Sequence, residues 1–290
     1  MMGQATSSPT SSDTAQAPLE KHFVLKTPLT PDPALGLHSA VFATGCFWGV
    51  RHIPLRGAYV ADACNATRAQ SEKSFWRMPG VYTTAVGYVA GTKQEPTYEE
   101  VCTGRTGHTE AVQVFWDPAK LSFADVMRNY LESHDPTQGN GQGNDRGTQY
   151  RSGVYPRTDE DIEVAKAALA AYSKALGRAV TSEVKDGRTL PFYFAEVYHQ
   201  QYLAKPGARP YCSAMPTGVS LPPFEQWAPK GATPPKLPES YVGSALCSSR
   251  PRARLANPCA VYAVGKARVL ARVRDQATAH ANRVDRLAAR

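Results

Sequence analysis

The sequence predicts an α+β fold: a two-layer α/β sandwich with a mixed, largely antiparallel sheet and a long extended C-terminal arm. Three observations carry this reading. Short β-rich runs and helical patterns are interspersed along the chain, long connections separate the strands, and residues 206–239 are rich in Pro and Gly. A chain of 290 residues can bury a sizeable core as one large domain, or as one domain with extensions. No apolar run approaches the roughly 18–20 residues that a membrane helix needs, so a soluble protein with no membrane partner is expected.

Residues 1–38 read as a disordered leader. The first nineteen are Ser-, Thr-, Ala- and Pro-rich and carry Asp13. They have neither the apolar stretch of a secretory signal nor the Arg-rich amphipathic pattern of a transit peptide. Strands are predicted over 39–44, 82–89, 109–115, 150–155, 180–185 and 191–195. Helices are predicted over 71–76, at the end of the 91–100 loop, and over 121–134, 159–176 and 196–205. The third of these has Phe123, Val126, Met127, Tyr130 and Leu131 at helical spacing. The fourth opens on acidic residues, where the helix dipole favours them. Residues 134–147 form a polar, glycine-rich loop. No internal repeat is present.

The stretch Gly45-Cys46-Phe47-Trp48-Gly49 sets one thiol between two glycines, ahead of two aromatic rings, where a strand gives way to a turn or helix start. Free backbone N–H groups and the positive end of a helix favour thiolate there. The plain alternative is a buried core cysteine among core aromatics. The six cysteines show no CxxC and no zinc spacing, so a reducing compartment with one or two redox-active thiols is expected, and no metal site.

Four further segments concentrate polar and aromatic residues in loop contexts: 96–100, 107–110, 143–150 and 195–202. With GCFWG, the runs GVYTTAVGY, PTYEEVCTGRTGHTEAV, HDPTQG, QGNDRGTQYRS and AEVYHQQYL make the chain similar to peptide methionine-sulfoxide reductase of the A class, over residues 39–227. The resemblance implies reduction of methionine S-sulfoxide, in proteins and as the free amino acid. Cys46 would be the nucleophile and Glu110 the general acid, a task that requires burial to raise its pKa. Tyr98 and Tyr150 would hydrogen-bond the sulfoxide oxygen. Asp145 would hold the polar network, and Phe47 and Trp48 would surround the substrate methyl. Cys46 would be left as sulfenic acid and resolved by Cys212 as a disulfide, with thioredoxin as external reductant. Residues 217–223 contain no second resolving thiol. No metal or organic cofactor is implied.

Each residue also has a plainer reading. Glu110 could be a strand-edge carboxylate, Asp145 a turn cap, and Tyr98 and Tyr150 half-buried packing residues. His108 and His199 read as structural hydrogen-bonders, His134 and Asp135 as a loop-stabilising pair, and Cys102 as a buried structural thiol.

The chain departs from the family pattern twice. Residues 50–70 interrupt GCFWG-SEKSFW, carrying Pro54, Gly57 and no helical periodicity. They are compatible with an in-frame intron left in the message; Cys64 and the Asn65-Ala66-Thr67 sequon inside them are given no role. Residues 228–290 form a Pro-rich and then basic tail. Its last fifty residues hold ten Lys/Arg against Asp275 and Asp285, the whole net charge of +8. Such a tail could bind polyanions, but it has no aromatic interleaving, and a nucleic-acid partner is not expected. A cytoplasmic monomer is expected, with an organellar location left open. The alternative is a non-catalytic product of mis-splicing that at most binds oxidised methionine.

Overall fold

The structure, a computed structural model, describes residues 20–47, 71–208 and 216–238. The expectations for residues 1–19, Trp48, the 50–70 insertion, Cys212 and the basic tail lie outside the described residues.

The strands are β1 (His38–Thr44), β2 (Val81–Val89), β3 (Thr109–Trp116), β4 (Gly141–Gln142), β5 (Asp145–Arg146), β6 (Ser152–Tyr155), β7 (Glu183–Val184) and β8 (Tyr193–Phe194). The α-helices are α1 (Ser71–Trp76), α2 (Tyr98–Cys102), α3 (Phe123–Ser133) and α4 (Asp159–Leu176). Six strands form one sheet in the order β7-β6-β1-β3-β2-β8, with β4 and β5 pairing separately. Among the described residues only the β6–β7 pair is parallel, so the sheet is mixed and largely antiparallel as expected.

β1 reads Ala-Val-Phe-Ala without polar alternation because both faces of the sheet are covered. Ala40 and Phe42 enter the larger core, where the Phe42 ring stacks on Phe75 of α1 at 5.2 Å. Val41 and Ala43 enter a smaller core with Val89, Ala111 and Tyr155, covered by Leu190 and Phe192. α3 starts on a reciprocal cap between Ser122 and Asp125, and α4 runs from its Thr158 cap to Gly177, whose φ of 63° ends it in the left-handed region. The C-terminal arm lies on these helices. Leu221 and Phe224 are buried, and Asp125 also accepts from the backbone N–H groups of Lys236 and Leu237.

Three expectations need correction. Residues 20–37, read as leader, are ordered on the body. Lys21 bridges to Pro28, and the buried His22 accepts on Nδ1 from the N–H groups of Val24 and Leu25. Its Nε2 lies 3.0 Å from Thr84 Oγ1, and Thr84 donates to the buried Glu72. The leader-like composition is that of residues 1–19; from residue 20 onward polar bonds and the buried Leu29 fix the segment. Residues 196–205 form turns and a 3₁₀ turn (Tyr202–Ala204), not an α-helix. Their glutamines serve distant backbone instead. Gln200 both donates to and accepts from Val86 of β2, and Gln201, at φ 46°, donates to Glu72. The 134–147 loop contains the β4–β5 pair. It is held by His134, whose Nδ1 and Nε2 meet the Tyr130 carbonyl and Ser152 Oγ at 2.8 and 3.1 Å, and by Asp135, which accepts from Thr137 and Gln138. No helix among the described residues is long and apolar enough to cross a membrane.

Candidate active site

The site forms where β1 ends. Gly45 turns the chain at φ +94°, and a side chain there would put its Cβ 2.4 Å from Gln142 Cβ, so a glycine is required. The turn leaves Cys46 half-buried and carries Phe47 into the core. α1 begins at Ser71 rather than at Cys46, and the two are brought together: Ser71 Oγ donates to the Cys46 carbonyl at 3.0 Å. The two ends of the interrupted motif therefore meet in space, as they would in an uninterrupted one.

Glu110 lies on β3, opposite Tyr88 of β2, and is 1% exposed. Its Oε2 accepts from the Phe47 N–H at 3.1 Å. Its Oε1 is buried and meets no donor in hydrogen-bonding geometry among the described residues. Burial pushes its pKa up to about 8; the Phe47 N–H opposes this and the charge of Asp145 adds to it. The Cys46 thiol stands beside this carboxyl, and Glu196 contributes further negative charge. At neutral pH Glu110 is therefore a proton-bearing acid with an open oxygen.

Tyr98 opens α2, whose start is fixed by the reciprocal Thr97–Glu100 cap. Tyr150 closes the 3₁₀ turn Thr148–Tyr150, just before β6. Burial, then the nearby Glu110 carboxylate, holds both phenols well above their ordinary pKa, so both remain hydroxyl donors. Asp145 sits on β5, close enough to raise the proton affinity of Glu110. The structure thus places Cys46, Phe47, Glu110, Tyr98, Tyr150 and Asp145 around one point.

Cys102 is exposed, against the expectation of a buried thiol. It ends the five-residue α2, where Val101 takes the inward position, and its thiol is among the groups that raise the Tyr98 pKa. His199 is fully buried. Its ring centroid lies 5.1 Å from that of Phe47 and 4.5 Å from that of Tyr98, and burial lowers its pKa to about 3, so it serves as a neutral aromatic wall. Sequence reasoning did not single out Tyr88 or Glu196. Tyr88 donates to Glu196 Oε2 at 2.8 Å, and the Tyr98 N–H donates to Glu196 Oε1 at 2.9 Å. The only signal for Glu196 was its place in the polar, aromatic run 195–202.

Among the described residues no group of three or more His, Cys, Asp or Glu side chains could hold a metal ion. The arrangement can do one kind of chemistry well: a thiol attacks an electrophile whose departing oxygen is met by a buried acid and two hydroxyls, beside aromatic walls.

Comparison with known proteins points the same way. The family model described as Peptide methionine sulfoxide reductase matches residues 56–221, so Cys46 lies just before its span. The chain is 50% identical over 206 residues to the peptide methionine sulfoxide reductase MsrA of Azorhizobium caulinodans, covering 69% of this chain and 83% of that one. It is 44% identical over 205 residues to MsrA 2 of a Nostoc species, covering 69% and 82%. Among solved structures, methionine sulfoxide reductase A of Corynebacterium diphtheriae superposes with a TM-score of 0.56 at 34% identity, covering 70% of this chain and 88% of that one.

Proposed function

Because the chain belongs to the peptide methionine sulfoxide reductase family, we propose that it reduces methionine S-sulfoxide, free and in oxidised proteins, to methionine through Cys46. One observation carries the assignment of roles: a buried carboxyl with a pKa near 8, held by the backbone of the residue after the cysteine and with one oxygen open.

The Cys46 thiolate attacks the sulfoxide sulfur. Glu110 delivers a proton to the oxygen as the S–O bond breaks, while Tyr98 and Tyr150 donate hydrogen bonds to it. Asp145 keeps Glu110 protonated. Phe47, Trp48 and the His199 ring enclose the methyl group. Loss of the oxygen leaves Cys46 bonded to the methionine sulfur as a sulfonium; the released hydroxide attacks the Cys46 sulfur, the S–S bond breaks and methionine leaves, so the sulfoxide sulfur has gained two electrons and Cys46 is sulfenic acid. The Cys212 thiol then condenses with the sulfenic acid, releasing water and forming a Cys46–Cys212 disulfide. A thioredoxin dithiol reduces this disulfide by exchange. Cysteines without CxxC pairing favour a reducing compartment, and we read the enzyme as a cytoplasmic monomer. The reductase domain spans 39–227 with 50–70 as an insertion. The Ser71–Cys46 contact supports this, because the insertion leaves the two halves of the motif joined.

Cys212→Ser separates the two stages. The variant is expected to form one equivalent of methionine per chain at the wild-type rate and then to stop when thioredoxin, its reductase and NADPH are supplied. NADPH oxidation in steady state, set against methionine in the first turnover, reads the difference. Full recycling by the variant would mean that another thiol resolves Cys46.

A further inference from the structure

We propose that Glu196 is a positioning residue: its carboxylate pins the start of α2 to β2, and thereby sets where the Tyr98 hydroxyl holds the sulfoxide oxygen relative to Glu110. The inference rests on the reading of Tyr98 given above.

α2 has five residues, too few to be stable alone. The first N–H groups of a helix have no intrahelical partner. The Thr97–Glu100 cap satisfies the N–H groups of Thr97 and Glu100, and leaves that of Tyr98. Glu196 Oε1 takes it at 2.9 Å. The other carboxylate oxygen, Oε2, accepts from the hydroxyl of Tyr88 at 2.8 Å and lies 3.4 Å from His199 Nε2. Tyr88 is fully buried and stands directly across the β2–β3 ladder from Glu110. Its ring is 6.0 Å from that of Phe47, whose N–H holds Glu110.

The contacts close a ring: Glu196, Tyr88, Glu110, Phe47, His199, Tyr98 and back to Glu196. Apart from the Glu196–Tyr88 bond itself, every link touches either a group that reacts or one that holds the substrate. The geometry therefore ties the phenol that meets the oxygen to the strand carrying the acid that protonates it. Other titratable groups near Glu196 are Tyr198 and Cys102, and those near Glu110 are Asp145, Cys46, Tyr98, Tyr150 and Tyr88. Among them Glu196 has a second effect, since its negative charge favours the protonated form of Glu110.

The test is single-turnover formation of methionine from methionine S-sulfoxide, without reductant, across substrate concentration and pH. Glu196→Ala should slow the saturated step by roughly tenfold to hundredfold, the cost of a misplaced reacting group. In a Tyr98→Phe background the same change should cost less than about twofold, because the hydroxyl it positions is gone. Glu196→Gln retains an acceptor for the Tyr98 N–H and should recover most of the rate, while its alkaline limb moves to lower pH as the carboxylate charge is lost. Wild-type rates in Glu196→Ala would overturn the inference. So would an equal loss with and without the Tyr98 hydroxyl, which would mark a merely structural role. Should the alanine variant fail to fold, Tyr88→Phe, which removes the hydroxyl that holds Glu196 Oε2 to β2, should slow the same step severalfold, and a wild-type rate in that variant overturns the inference. No methionine from the unaltered chain would overturn the functional reading first, and this inference with it.

Discussion

Glu110→Gln should lower the rate of the first turnover by roughly 10²–10⁴-fold, the usual contribution of a positioned acid. The amide has the shape of the acid and can still accept from the Phe47 N–H, so the turn bearing Cys46 should hold. What it lacks is a proton to give. The pH dependence makes the argument specific. Glu110 acts in its protonated form, and burial sets its pKa at about 8. The contribution of Glu110 should therefore be constant below that pH, and above it the rate should acquire a limb that falls towards one decade per unit. In the glutamine variant the low residual rate should show no such limb. Quench-flow measurement of methionine between pH 6 and 10 checks both. A variant at wild-type rate would assign the proton to another donor, with Tyr98 and Tyr150 the nearest choices.

Cys46→Ser should reduce methionine formation to background in the same assay. A serine hydroxyl is a far weaker nucleophile than a thiolate near neutral pH, and the Glu110 carboxyl beside this position is protonated and is no base for it. The substitution is nearly isosteric at a half-buried site, and Gly45 keeps its turn. The circular dichroism spectrum and melting temperature should match the wild type, so loss of activity will not be loss of fold. Methionine formed at an appreciable rate by this variant would place the nucleophile on another thiol, and Cys102, an exposed thiol close enough to raise the Tyr98 pKa, would be examined first.

Sequence and structure agree best where local signals are strong and independent of distant contacts. α4 has an acidic first turn, a Thr cap and a glycine stop, and its bounds are those read from sequence. β1 and β3 are recognisable from dense apolar runs between turn residues. Two of the failures share a cause, which is polar groups committed to remote partners. The run 196–205 has a helical look, but Gln200 and Gln201 bond to Val86 and Glu72, more than a hundred residues earlier in the chain. Residues 20–37 fall within the segment read as a leader, yet His22 is held through Thr84 and Glu72. Cys102 reads as a buried structural thiol, but a five-residue helix ends there and it is exposed.

The candidate site divides in the same way. Cys46, Glu110, Tyr98, Asp145 and Tyr150 sit in ordered motifs whose resemblance to a family names them. Their convergence, and the pKa that makes Glu110 an acid, come from packing β3 under the turn after β1. Glu196 and Tyr88 are 108 residues apart and meet through one hydroxyl–carboxylate contact. No spacing rule reveals such a pair.

The central claim is that Cys46 takes the oxygen of methionine sulfoxide with a proton from Glu110. The most direct measurement uses the full-length chain, fully reduced and freed of reductant, mixed with excess methionine S-sulfoxide. Methionine and remaining thiols are counted together, and the oxidised cysteines are mapped by mass spectrometry. The account predicts one methionine per chain and loss of the Cys46 thiol in step with it, with Cys46 recovered in a disulfide with Cys212. Methionine formed while Cys46 stays reduced, or no methionine from a folded and fully reduced chain, would contradict it.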